Sequence, residues 1–117
     1  MKLIKCIVRP ECAAEATGAL ERIGVSGITI TDVRGRGSHT RPTGRYRGVD
    51  YDDLVAMAMI DVVAADDLVD EVVRVVLDYT RTGPAGDGKI FIMAVEGGIR
   101  FGRECRIQPE PAFDGWA

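Results

Sequence analysis

Four stretches of alternating hydrophobicity and two helical stripes follow one another along this chain, and their order is what most limits its fold. Residues 2–9 set Ile4, Cys6 and Val8 against Lys5 and Arg9, the two-residue period of a half-buried strand. Residues 12–23 carry Ala13, Ala16, Leu20 and Ile23 at helical spacing, with Gly24 placed for a left-handed cap. Residues 27–34 alternate again, Ile28 and Ile30 against Thr29, Thr31 and Val33. In 56–64, Ala58, Ile60 and Val62 oppose Met57, Met59, Asp61 and Val63. Asp66 and Asp67 open a second helix, where negative charge suits the positive end of the helix dipole, and Val69, Val72, Val73, Val76 and Tyr79 give it an apolar face. Residues 89–95 close the pattern, with Ile90, Ile92 and Ala94 opposite Phe91, Met93 and Val95.

The order β-α-β-β-α-β is the split βαβ pattern of ferredoxin-like folds. It predicts an α+β domain with both helices on one face of a four-stranded antiparallel sheet. Residues 99–107 read as a short final ribbon, and 108–117 as a mobile tail with Phe113 and Trp116. The length suits one domain, 1–107. The sheet face away from the helices would carry Thr29, Met57, Met59, Phe91 and Met93 among charges. Such a face is too apolar to remain in water as one patch. It is expected to pack against copies of itself in a closed cyclic oligomer, with ligand clefts between subunits.

Composition excludes several classes. A net charge of −3 disfavours a general nucleic-acid binder. No apolar run approaches the ~20 residues of a membrane span, and the first strand pattern begins at Lys2 with no signal-peptide core before it. Cys6, Cys12 and Cys105 are an odd set without paired spacing and read as thiols of a reducing cytoplasm. With no CxxC and a single histidine, His39, no metal site is expected. No Ser/His/Asp or Cys/His set is evident, so the chain reads as non-catalytic.

Two stretches remain. In 82–92, Gly83, Gly86 and Gly88 leave backbone N–H groups open to close approach, and Lys89 adds a fixed positive charge. This is either a polyphosphate-holding turn or a plain glycine-rich connection; neither the GxxxxGK[ST] nor the GxGxxG pattern is present. Residues 35–55 break every periodicity, and a structureless stretch that long in a small domain is usually functional or mobile. It runs from Arg36, Arg41, Arg45 and Arg47 to Asp50, Asp52 and Asp53, and reads as either a partner-binding arm or a solvated loop.

The residues in these stretches resemble the PII signal-transduction proteins over 1–103. Gly86-Asp87-Gly88-Lys89-Ile90-Phe91 is similar to the family's C-terminal signature, and Tyr46-Arg47-Gly48-Val49-Asp50-Tyr51 to its central-loop signature. Gly24, Gly27, Thr29, Gly35, Gly37 and Asp66-Asp67-Leu68-Val69 agree as well. The resemblance implies a homotrimer binding adenine nucleotides in clefts between subunits. The arm 36–55 would be the T-loop, which docks on a target protein, a membrane transporter among the candidates. Thr29, Val62 and Val63 would face the adenine, with Asp61 standing where the family has Glu. Gly35, Arg36 and Gly37 would line the cleft at the loop base. Gly86, Asp87, Gly88 and Lys89 would hold the phosphates, with Arg100 approaching from the neighbour; Arg103, one position off the family's second arginine, is a further candidate nucleotide contact.

The departures bear on specificity. The family's nitrogen sensors use Gln at the loop base and Lys before the third strand to hold Mg-ATP and 2-oxoglutarate; His39 and Met57 stand there. The second arginine of the final strand falls on Gly102, so ADP or AMP is expected over ATP, with magnesium left open. Gly37, Ser38 and His39 are the expected effector contacts, and bicarbonate the expected effector, as in a PII-like branch linked to inorganic carbon and carboxysomes. The alternative is a nitrogen regulator that senses ATP, ADP and 2-oxoglutarate. Tyr51 takes the position of the family's modified tyrosine, in an altered context that favours an ordinary loop tyrosine.

Overall fold

The computed structural model describes residues 1–25, 27–36, 42–46, 49–52, 54–81, 88–102 and 105–107. The elements run β1 (Lys2–Val8), α1 (Pro10–Arg22), β2 (Ile28–Gly35), β3 (Pro42–Tyr46), β4 (Val49–Asp52), β5 (Val55–Ala64), a 3-10 turn (Asp66–Leu68), α2 (Val69–Thr80), β6 (Lys89–Ala94), β7 (Ile99–Arg100) and β8 (Cys105–Arg106). Strands β2-β5-β1-β6, in that order, make a four-stranded antiparallel sheet. This is the ferredoxin-like arrangement that the order of periodicities predicts.

Each helix end has a local cause. Pro10 occupies the first turn of α1, where its missing N–H is no loss, so the helix starts earlier than the apolar stripe alone suggests. At the other end Gly24 takes φ 98°. Its N–H donates to the Glu21 carbonyl, and the Val25 N–H donates to the Leu20 carbonyl, both at 3.0 Å. This double turn-back closes the helix and buries Val25 against Leu20.

Both helices lie on one face of the sheet. Ile4, Cys6 and Val8 of β1 and Ala58, Ile60 and Val62 of β5 meet Ala16 and Leu20 of α1 and Val72, Val75 and Val76 of α2. No polar or charged side chain is buried among the described residues. Arg22 reaches across the helix pair to donate to the Tyr79 hydroxyl at 3.2 Å.

The arm 36–55 departs from its expectation. Its sequence reads as breaking every pattern, yet β3 and β4 pair antiparallel, Arg45 opposite Asp50 and Tyr46 opposite Val49, with an irregularity between Pro42 and Gly44. Thr43, Tyr46, Val49 and Tyr51 are residue types that favour strands. Pro42, Gly44 and Gly48, spread between them, hide that preference. The final ribbon forms as expected: Ile99 pairs with Arg106 and Arg100 with Cys105, and the Ile107 N–H donates to the Gly98 carbonyl. The tail 108–117 lies outside the described residues.

Candidate functional site

Residues directly opposed across a sheet share a face, so the register maps the side away from the helices. One row reads Thr29 (β2), Asp61 (β5), Lys5 (β1), Phe91 (β6). The next reads Thr31, Met59, Ile7, Lys89. Val63, Leu3 and Met93 flank the first row, and Met57 lies opposite Val33 near the root of the arm. Phe91 and Met93 are 48% and 41% exposed, so the apolar face expected from the alternation is present and uncovered in a single copy.

Lys5 and Asp61 form an ion pair in the middle of that face. The ammonium lies 3.0 Å from the Asp61 carboxylate and 3.4 Å from the Met59 sulfur. On the opposite side of β1, burial pushes the Cys6 thiol up to about 11, and the nearby Asp61 charge adds to the rise. Cys6 is therefore an inert core thiol. At the far end of the sheet, a 2.7 Å hydrogen bond from the Met1 ammonium holds the Asp66 carboxyl below its ordinary value.

The structure splits the expected nucleotide residues into two groups. Thr29, Gly35 and Arg36 belong to the β2 edge, and Gly88 and Lys89 to the β6 edge. Three strand spacings separate these edges, about 14 Å. At the β6 edge the backbone comes close: a Cβ on Gly88 would stand 3.2 Å from the Ile7 carbonyl oxygen. Glycine there lets the chain enter β6 tight against β1, with Lys89 directly opposite Ile7.

The remaining expected contacts divide as follows. Val63 is on the open face opposite Leu3, while the Val62 side chain is 1% exposed in the core between Ile28 and Ile4. Any ligand contact at Val62 is left to its backbone. Asp61 is on the open face, engaged with Lys5. Arg100 is half-buried in β7. Gly37, Ser38, His39, Gly86, Asp87 and Arg103 lie outside the described residues, and of Tyr51 the structure gives its place in β4. Sequence reasoning missed Ile7 beside Gly88 and Lys5 as the partner of Asp61. Both are outward positions of an ordinary alternation, and only the long-range register gives them neighbours.

Among the described residues there is no cluster of three or more metal-ligating side chains. No helix among them is long and apolar enough to cross a membrane.

Comparison with known proteins agrees with this architecture. The family model for nitrogen regulatory protein P-II matches residues 1–104. The chain is 46% identical over 101 residues to nitrogen regulatory protein P-II 2 of Methanothermobacter thermautotrophicus, covering 86% of this chain and 88% of that one. It is 40% identical over 101 residues to nitrogen regulatory protein P-II of Haemophilus influenzae, covering 86% and 90%. It is 39% identical over 101 residues to nitrogen regulatory protein GlnK of Escherichia coli K12, with 86% and 90% covered. The chain thus belongs to the P-II nitrogen regulatory protein family, whose members are non-catalytic signalling proteins that bind adenine nucleotides and act on partner proteins as trimers.

Proposed function

We propose that the protein is a cytoplasmic nitrogen-regulatory trimer that binds an adenine nucleotide between neighbouring copies and signals that state to a partner through 36–55. The observation that carries this reading is the match of nearly the whole domain to the P-II family. The sheet order adds a physical reason for sharing the cleft. Within one copy, Lys5, Ile7 and Met59 fill the face between Thr29 and Lys89. Two copies that set the β2 edge of one beside the β6 edge of the other bring both groups to one pocket. The stretch 86–89 then holds the phosphates and Thr29 meets the base. Arg100 and Arg103 come from the neighbour, and Gly35, Arg36 and Gly37 close the loop side.

Holding one residue's backbone costs about 1–2 kcal/mol, so a nucleotide alone can order only part of the arm. A two-stranded ribbon such as β3–β4 is itself marginal in water. The arm is therefore suited to a switch whose final form is completed by its target.

Met57 favours a second reading for the small effector. It is half-buried on the open face opposite Val33, at the root of the arm. A thioether cannot pair with the second carboxylate of 2-oxoglutarate. The lost charge-assisted hydrogen bond is worth about 1.5–3 kcal/mol, roughly 10- to 150-fold in affinity. Bicarbonate, held by loop-base N–H groups near Gly37–His39, needs no such partner. Calorimetry of ATP and ADP, each with 2-oxoglutarate or bicarbonate, tests both. Tighter nucleotide binding with 2-oxoglutarate supports nitrogen sensing, and coupling to bicarbonate supports the second reading. Absence of nucleotide binding defeats both.

A further inference from the structure

An ion pair is an odd choice for the centre of an apolar sheet face. Lys5 and Asp61 are 26% and 22% exposed in the single copy, with Leu3, Ile7, Val63, Phe91 and Met93 on the same face. If burial alone mattered, a hydrophobic pair of similar volume would serve as well or better. What charge adds is register, because misaligned copies bring like charges together.

We propose that Lys5 and Asp61 fix how copies of this chain meet: Lys5 of each copy pairs with Asp61 of the next as well as with its own, closing a ring of alternating charge around the symmetry axis. The occupant of the open face is thus a second copy of the chain. Charge complementarity is the argument for it. In a closed ring the contact is heterologous, so a positive group of each copy must meet a negative group of the next, and this patch carries one of each. A lysine ammonium has three protons, and Lys5 directs two within its own copy, to Asp61 and Met59. A carboxylate accepts at two oxygens, and the 3.0 Å contact engages Oδ1. The proposal rests on the trimer reading above.

Native mass spectrometry of the full chain tests it with the charge-reversal variants K5D and D61K. The wild type is expected as one three-copy species. Either variant alone should dissociate with its midpoint at least about tenfold higher in concentration. An equal mixture of the two should recover three-copy species containing both. The apolar variant K5M/D61L, whose fold is checked by circular dichroism, should stay associated but spread over more than one stoichiometry. Three-copy assembly at the wild-type midpoint for both single variants overturns the proposal, as does a mixture that yields no mixed species. A K5M/D61L variant as homogeneous as the wild type also overturns it. A wild type that is monomeric throughout defeats the trimer reading itself, which these other outcomes leave standing.

Discussion

Gly24 and Cys6 show how single positions answer to their surroundings. At Gly24 the backbone takes φ 98°, which a side chain resists by roughly 1–2 kcal/mol. Gly24→Ala should lower unfolding stability by about 1 kcal/mol in a denaturant titration, leaving the slope unchanged. Its role was legible, because a glycine directly after a helical stripe has a known mechanical use. Cys6 is different: its alternation marks it as inward, but the cost of ionising it depends on what covers it. Its pKa in the folded chain rises from 9.0 to about 11. Below pH 9 the thiol is neutral in both states and its contribution is complete. As pH climbs through about 11 the unfolded state gains by ionising first, and stability falls by about 2–3 kcal/mol. Cys6→Ala, less stable at neutral pH because of the cavity it leaves, should show a shallower alkaline decline in thermal melts. Equal slopes for the two proteins would contradict the assignment.

At the scale of elements, period carried most of the information. The strands and helices stand where the alternations and stripes put them; β1 and β5 each bury one face that a one-residue slip would expose, while at the sheet's edges Ile30 of β2 and Ile92 of β6 stay 49% and 51% exposed. The β3–β4 ribbon was less legible, whereas Pro10 reads as a residue near a helix start and stands at the start of α1. In the ribbon, glycine and proline interrupt the strand-forming residues and leave no alternation long enough to read. Leu20 joins α1 to the sheet and to the cap at Val25. Leu20→Ala should cost about 2–5 kcal/mol and visibly lower the melting temperature. Gly88→Ala should act locally. Its added methyl would stand 3.2 Å from the Ile7 carbonyl oxygen, so β1 and the start of β6 have to ease apart by only a few tenths of an ångström. ADP affinity should fall about tenfold with little change in melting temperature. A variant that binds ADP as tightly as the parent would remove Gly88 from the site.

At the scale of the molecule, the sequence named most of the candidate site residues but not their distribution. Thr29 and Lys89 each sit in a recognisable stretch, but the stretches by themselves do not say how the two residues lie across the sheet. That follows from the strand order β2-β5-β1-β6, which long-range pairing decides. The same pairing seats Lys5 beside Asp61 and leaves an apolar face for a neighbour to cover. The central claim is therefore that one pocket takes Thr29 from one copy and Lys89 from another. It is tested most directly by ADP calorimetry on Thr29→Trp, on Lys89→Ala, and on the two unfolded together and refolded as mixed oligomers. The account predicts that each variant alone loses binding and that the mixture regains a fraction of wild-type sites at wild-type affinity, because some pockets then combine two intact edges. A mixture that binds no better than its parts would contradict it.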